Sequence, residues 1–108
     1  QRAGRIINFA STNGEAGVKN CVAYCASKGA VIAMTRAMAF EWAEFDITVN
    51  AISPNVVRTP MTADRLSDPQ EEAKSIARIP LGRLGRPEDI ASAISGLAPW
   101  RWRKSRCA

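Results

Sequence analysis

Residues 5–53, RIINFASTNGEAGVKNCVAYCASKGAVIAMTRAMAFEWAEFDITVNAIS, decide the fold. Arg5 to Ala10 is rich in β-branched and aromatic residues without strict alternation, the pattern of a strand covered on both faces. Ile47 to Ser53 is a second such run, and it stops at Pro54. Between them, Tyr24 to Phe45 has no proline and is dominated by Ala, Met, Arg and Glu, so it is predicted to be helical. Its apolar residues form two stripes, one through Ala26, Ala30, Ala33 and Ala37, the other through Val31, Met34, Met38 and Trp42. One stripe is expected to pack on the sheet and the other to meet a second subunit or, as the alternative, a part of the fold outside these residues. The helix joins the following strand through a connection short enough to require a tight turn at Asp46. Strand, helix and strand in this order predict a βαβ unit with a parallel sheet. Ser11 to Ala23, rich in Ser, Thr, Asn and Gly, is expected to be a loop in which Gly14 and Gly17 permit unusual backbone angles.

Beyond Pro54, prolines at 60, 69, 80 and 87 break the chain into short pieces, an arrangement common in lids over a site. A helix is expected from Asp68 or Pro69 to about Arg78. Another should start at Pro87-Glu88-Asp89, where proline and two acids occupy the first turn, and run through Ile90, Ala93, Ile94 and Leu97 to end by Pro99.

The 108 residues suffice for one small domain, taken as residues 1–98, followed by an atypical basic tail at 99–108. The formal charge is +5, but residues 1–98 hold eleven Lys/Arg against ten Asp/Glu; Arg101, Arg103, Lys104 and Arg106 supply the rest. The basic character therefore belongs to the tail and not to a face of the fold, which argues against a nucleic-acid partner. With no secretory pattern and no run of eighteen apolar residues, no membrane partner is expected and a cytoplasmic location is the default. Cys21, Cys25 and Cys107 lack paired spacing, and the chain has no histidine, so they are read as reduced thiols and no metal is expected. A start at Gln1, with almost no lead-in to the first strand, suggests a fragment or a processed chain.

Tyr24 and Lys28, four apart at a helix start, project from one face and can converge. An unperturbed phenol is a poor base at neutral pH, but a fixed ammonium a few ångströms away favours the phenolate. Ser11 closes the first strand, at the carboxyl end where parallel sheets bind ligands, and could hold a carbonyl oxygen. On spacing alone, Tyr24 and Lys28 read as an ordinary surface pair and Ser11 as a turn cap.

Longer stretches reverse that reading. Asn8-Phe9-Ala10-Ser11, Tyr24-Cys25-Ala26-Ser27-Lys28-Gly29-Ala30, Val49-Asn50-Ala51-Ile52-Ser53-Pro54, Arg58-Thr59-Pro60-Met61 and Pro87-Glu88-Asp89-Ile90-Ala91 follow one another at set intervals. In order and spacing they resemble the second half of short-chain dehydrogenases/reductases, across roughly residues 4–98. The resemblance implies part of an α/β Rossmann-like, doubly wound parallel sheet: a βαβ unit plus C-terminal helices, without the amino-terminal cofactor-binding half. It implies NAD or NADP as cofactor, a small-molecule carbonyl or alcohol as substrate, and a homo-oligomer, dimer or tetramer, in the full-length form. By resemblance Ser11 orients the substrate oxygen, Tyr24 is the general acid/base and also contacts the cofactor, and Lys28 assists Tyr24 and binds the nicotinamide ribose. Pro54, Asn55, Val57 and Thr59 correspond to a turn that contacts the nicotinamide end. Here asparagine replaces the family's glycine, and because asparagine tolerates left-handed backbone angles the turn is expected to persist.

The implied activity is interconversion of a secondary alcohol and a ketone with hydride transfer. The family's Gly-rich dinucleotide loop is not in these 108 residues, so the chain alone is expected to be inactive and weakly stable. The alternative is a non-catalytic remnant or a small basic binding module, in which tail tryptophans and arginines stack on bases, hold phosphates or rest at a membrane surface.

Overall fold

A computed structural model describes residues 3–98. The tail, Cys107 included, lies outside the described residues. Strand β1 (Gly4–Phe9) pairs in parallel with β2 (Ile47–Ile52), Gly4 opposite Ile47 and Phe9 opposite Ile52. The pairing is prolonged by the Ala10 amide on the Ile52 carbonyl at 2.8 Å and the Thr12 amide on the Pro54 carbonyl at 3.3 Å. Both strands thus deliver their carboxyl ends, Ser11 and Pro54, to the same edge. The expected α/β class and βαβ order are present, and these two strands are the whole sheet among the described residues.

The connecting helix α2 (Val22–Trp42) is followed by one 3-10 turn, Ala43–Phe45. Asp46 then takes a left-handed conformation, with φ 58°, and its amide bonds the Ala43 carbonyl at 3.0 Å, which makes the tight reversal into β2. The covered face of α2 follows helical spacing through Cys25, Lys28, Ile32, Thr35, Ala39 and Trp42. Thr35 is buried against the sheet, where its hydroxyl accepts the Asn8 amide at 2.9 Å and donates to the Val31 carbonyl at 2.7 Å. The alanine stripe through Ala26, Ala30, Ala33 and Ala37 faces outward, as do Val22 and Phe40.

Two short helices occupy stretches expected to be irregular. Helix α1 (Thr12–Ala16) starts at Ser11, whose Oγ accepts the Asn13 amide at 3.2 Å. It crosses the start of α2 so closely that a Cβ on Gly14 would stand 2.6 Å from the Lys28 carbonyl carbon and 2.7 Å from the Gly29 nitrogen. Helix α3 (Pro60–Leu66) starts with proline in its first turn, after Thr59, and buries Leu66. Proline there starts a helix instead of breaking one. Helices α4 (Pro69–Ala77) and α5 (Pro87–Leu97) lie where the sequence places them, α4 behind an Asp68 cap on the Gln70 amide at 2.9 Å.

The loop after β2 is tied to the approach to α5 by a parallel bridge between Val57 and Gly85. Its bonds run from the Arg58 amide to the Gly85 carbonyl at 3.1 Å and from the Gly85 amide to the Val56 carbonyl at 3.0 Å. Asp89 fixes the start of α5. It takes a fork from Arg83, with contacts of 2.8 and 3.2 Å, and the Arg86 amide at 2.9 Å. The Arg83 hydrogen bonds, and then the Arg86 amide, hold its carboxyl down to about 2.

A carboxylate whose folded-state pKa is depressed stabilises the fold above its unfolded pKa, near 3.9, and that contribution is lost as pH falls towards 2. We therefore expect Asp89→Asn to lower the melting temperature at pH 7, with the difference from the parent shrinking between pH 4 and pH 2. Thermal melts across that range test this, and a difference that is constant with pH contradicts it.

Candidate active site

Lys28 is the best defined of the expected site residues. Its ammonium donates to the Phe9 carbonyl at the end of β1, 2.9 Å away, and lies 5.8 Å from the centroid of the Tyr24 ring. One turn of α2 therefore carries a phenol and an ammonium side by side. An ammonium has three donors, so two remain for other acceptors. Tyr24 is 40% exposed, and its hydroxyl makes no hydrogen bond among the described residues.

Two cavities open along the carboxyl edge of the sheet. The larger, about 450 Å³, gathers Lys28, Pro54, Asn55, Val57 and Thr59 against apolar walls from β1, α3 and α5, including Phe9, Met61 and Ile90. The smaller, about 210 Å³, contains Ser11 and Asn55 with residues from α3 and α4, among them Arg65 and Arg78. Asn55 lines both cavities. Ser11 is thus in the neighbouring cavity to Lys28, one residue along from Ala10, which lines the larger one. Tyr24 lines neither and meets the site through Lys28.

The turn at Asn55 differs from the expectation. Asn55 is not among the residues with positive φ, which are Asn20 and Asp46 apart from glycines. Its side-chain oxygen accepts the Val56 amide at 2.8 Å, a local bond that holds the turn without a left-handed residue. Beyond it, Thr62 fixes the position of Thr59: its hydroxyl accepts the Thr59 amide at 3.0 Å and donates to the Val57 carbonyl at 2.7 Å.

The larger cavity sets apolar side chains beside an ammonium with donors to spare, a lining able to take a flat ring joined to a hydroxyl-bearing group. No group of three or more His, Cys, Asp or Glu able to hold a metal occurs among the described residues. Cys21 and Cys25 are free thiols, the latter 3.3 Å from the Val18 amide nitrogen. No helix among the described residues is long and apolar enough to cross a membrane.

Residue charge at the smaller cavity is the feature that the sequence did not disclose. Arg65 and Arg78 belong to no motif, and only the turn between α3 and α4 brings them to one wall.

Comparison with known proteins agrees with the architecture. A sequence model of the family described as Enoyl-(Acyl carrier protein) reductase matches residues 1–101. The chain is 47% identical over 97 residues to a 3-oxoacyl-[acyl-carrier-protein] reductase of Rickettsia bellii, covering 90% of this chain and 39% of that one. It is 43% identical over 97 residues to a protein named inactive 2-(S)-hydroxypropyl-CoM dehydrogenase 2 of Xanthobacter autotrophicus, covering 86% and 42%. Among solved structures, a candidate NAD(P)-dependent gluconate 5-dehydrogenase of Beutenbergia cavernae, with NADP bound at low occupancy, superimposes with a TM-score of 0.85 at 44% identity, covering 89% and 39%. The chain therefore spans about two fifths of the length of the relatives it matches.

Proposed function

Since the chain belongs to the short-chain dehydrogenase/reductase family, we propose that residues 4–98 supply the acid/base and nicotinamide-facing part of an NAD(P)-dependent oxidoreductase that interconverts a ketone and a secondary alcohol. The observation that carries this reading is the Lys28 ammonium, bonded to the Phe9 carbonyl and set beside the Tyr24 ring. When bound, the dinucleotide supplies or accepts the hydride. Lys28, Pro54, Asn55, Val57 and Thr59 would hold its nicotinamide end, with the two free ammonium donors of Lys28 on ribose hydroxyls.

Tyr24 gives its proton to the substrate oxygen on reduction and takes it back on oxidation. The Lys28 ammonium, 5.8 Å from the centre of the Tyr24 ring, is the cation beside this proton transfer. Ser11, at the end of β1, turns its hydroxyl to the same oxygen and orients the carbonyl. In that role it must donate to substrate while its oxygen still accepts the Asn13 amide, which a hydroxyl can do at once. Asn55 lines both cavities, so it is placed to contact substrate and nicotinamide alike.

The outward alanine stripe of α2, with Val22 82% and Phe40 85% exposed, supports a homo-oligomer in which a second copy covers this face. Family resemblance puts the adenosine and pyrophosphate contacts on residues that these 108 do not include. We therefore expect the 108-residue chain by itself to show no saturable binding of NAD or NADP up to millimolar concentration. A second reading, a non-catalytic member, draws support from the relative named as inactive.

A graft separates the two readings. Residues 4–98 replace the matching segment of the Rickettsia bellii reductase, which is 47% identical to this chain. The oxidoreductase reading predicts NAD(P)H-dependent ketone reduction by the graft. A graft that folds and binds cofactor yet turns over no ketone supports the non-catalytic reading.

A further inference from the structure

The smaller cavity carries an uncompensated positive charge. Arg65, Lys74 and Arg78 line it against a single acid, Glu71, and Glu71 is already bonded to Lys74 at 2.6 Å. Neither the Arg65 nor the Arg78 side chain has an ion-pair or hydrogen-bond partner among the described residues. The basic Arg58 of the preceding loop is held away on Glu72. Ser11 and Asn55 line the same cavity. Two unpaired guanidiniums and the serine therefore line one cavity of about 210 Å³.

Resting on the oxidoreductase reading above, we infer that the substrate is a small oxo- or hydroxy-acid, whose carboxylate is taken by Arg65 and Arg78 while its carbonyl or hydroxyl carbon lies towards Ser11. A guanidinium presents a planar fork that matches a carboxylate, and charge-assisted bonds of this kind are shorter and stronger than neutral ones. The size agrees. A cavity of about 150 Å³ accepts benzene, so this one has room for an acid of a few carbons beyond that. A long acyl chain exceeds the volume of this cavity.

The test titrates the 108-residue protein with 4-oxopentanoate and, separately, with its methyl ester, following the arginine Nε–H signals by NMR. The acid should shift the Arg65 and Arg78 signals saturably, and the ester should bind roughly 10-fold more weakly or worse. Arg65→Gln or Arg78→Gln should remove most of that discrimination, and Arg65→Lys should restore part of it. Equal binding of acid and ester, or discrimination that survives both glutamine substitutions, overturns the inference.

Kinetics of the graft supply a second reading if the short chain does not fold. KM for the acid should rise about 10-fold in either glutamine variant with kcat nearly unchanged, and KM for the ester should not move. An unchanged KM for the acid overturns the inference while leaving Tyr24-dependent turnover in place. Binding of the acid by a graft that never reduces it overturns the oxidoreductase reading instead.

Discussion

Replacing Tyr24 by phenylalanine in the graft is expected to lower kcat/KM by roughly 10²- to 10⁴-fold, the range in which a positioned proton donor contributes. The change removes one hydroxyl and nothing else. Tyr24 is 40% exposed and its hydroxyl holds no partner within the described fold, so folding should be unaffected. The contact between the Lys28 ammonium and the ring face also survives in phenylalanine. Loss of turnover at unchanged stability therefore isolates proton transfer. Steady-state kinetics alongside a thermal melt make the distinction, and a variant retaining a tenth or more of parental kcat/KM would falsify the role given to Tyr24.

The second large effect is structural. Gly14→Val should destabilise the fold by about 2 kcal/mol or more, because overpacking of a closed contact costs on that scale. The atoms that a Cβ at position 14 would strike, 2.6 to 2.8 Å away, are chiefly backbone: the Lys28 carbonyl carbon and the Gly29 nitrogen, with the Lys28 Cβ. Backbone in the first turns of a 21-residue helix cannot step aside as a flexible side chain can. Relief requires α1 to lift from α2, carrying Ser11 away from the turn that bears Lys28. Gly96→Ala is the contrasting variant. A Cβ there meets nothing within 4 Å, and the position lies in α5, so alanine should leave stability unchanged or raise it by roughly 0.5–1 kcal/mol. Urea unfolding of both variants checks the pair, and equal midpoints for Gly14→Val and the parent contradict the packing argument.

The elements that could be read from the residues are those whose pattern repeats within one element. β1, β2 and α2 are long apolar or helix-forming runs, Pro69 follows the cap residue Asp68, and Pro87 stands ahead of two acids in a first turn. Helix α1 was hidden because Asn13 and Gly14 are poor helix formers; its five residues are held by the Ser11 cap and by contact with α2, a tertiary effect. Helix α3 does carry a signal, Thr59 followed by Pro60, because proline suits the first turn of a helix although it breaks the interior of one.

The same division applies to the site. Lys28, Pro54, Asn55, Val57 and Thr59 come from ordered motifs, and all meet at one cavity. Ser11 sits in the next cavity and Tyr24 beside Lys28, separations that spacing along the chain does not encode. Asn55 was expected to imitate glycine through its backbone; it holds the turn through its side-chain oxygen instead. Arg65 and Arg78 carried no signal, since their convergence depends on the angle between two short helices.

The central claim is that this segment completes a site for hydride transfer to a carbonyl carbon. Its most direct measurement uses the graft with cofactor deuterated at the reactive carbon of the nicotinamide, a ketone substrate, and mass analysis of the alcohol formed. The account predicts one deuterium on the carbinol carbon, formed at a rate that Tyr24→Phe removes. Alcohol without the label, or labelled alcohol formed as fast without the Tyr24 hydroxyl, contradicts it.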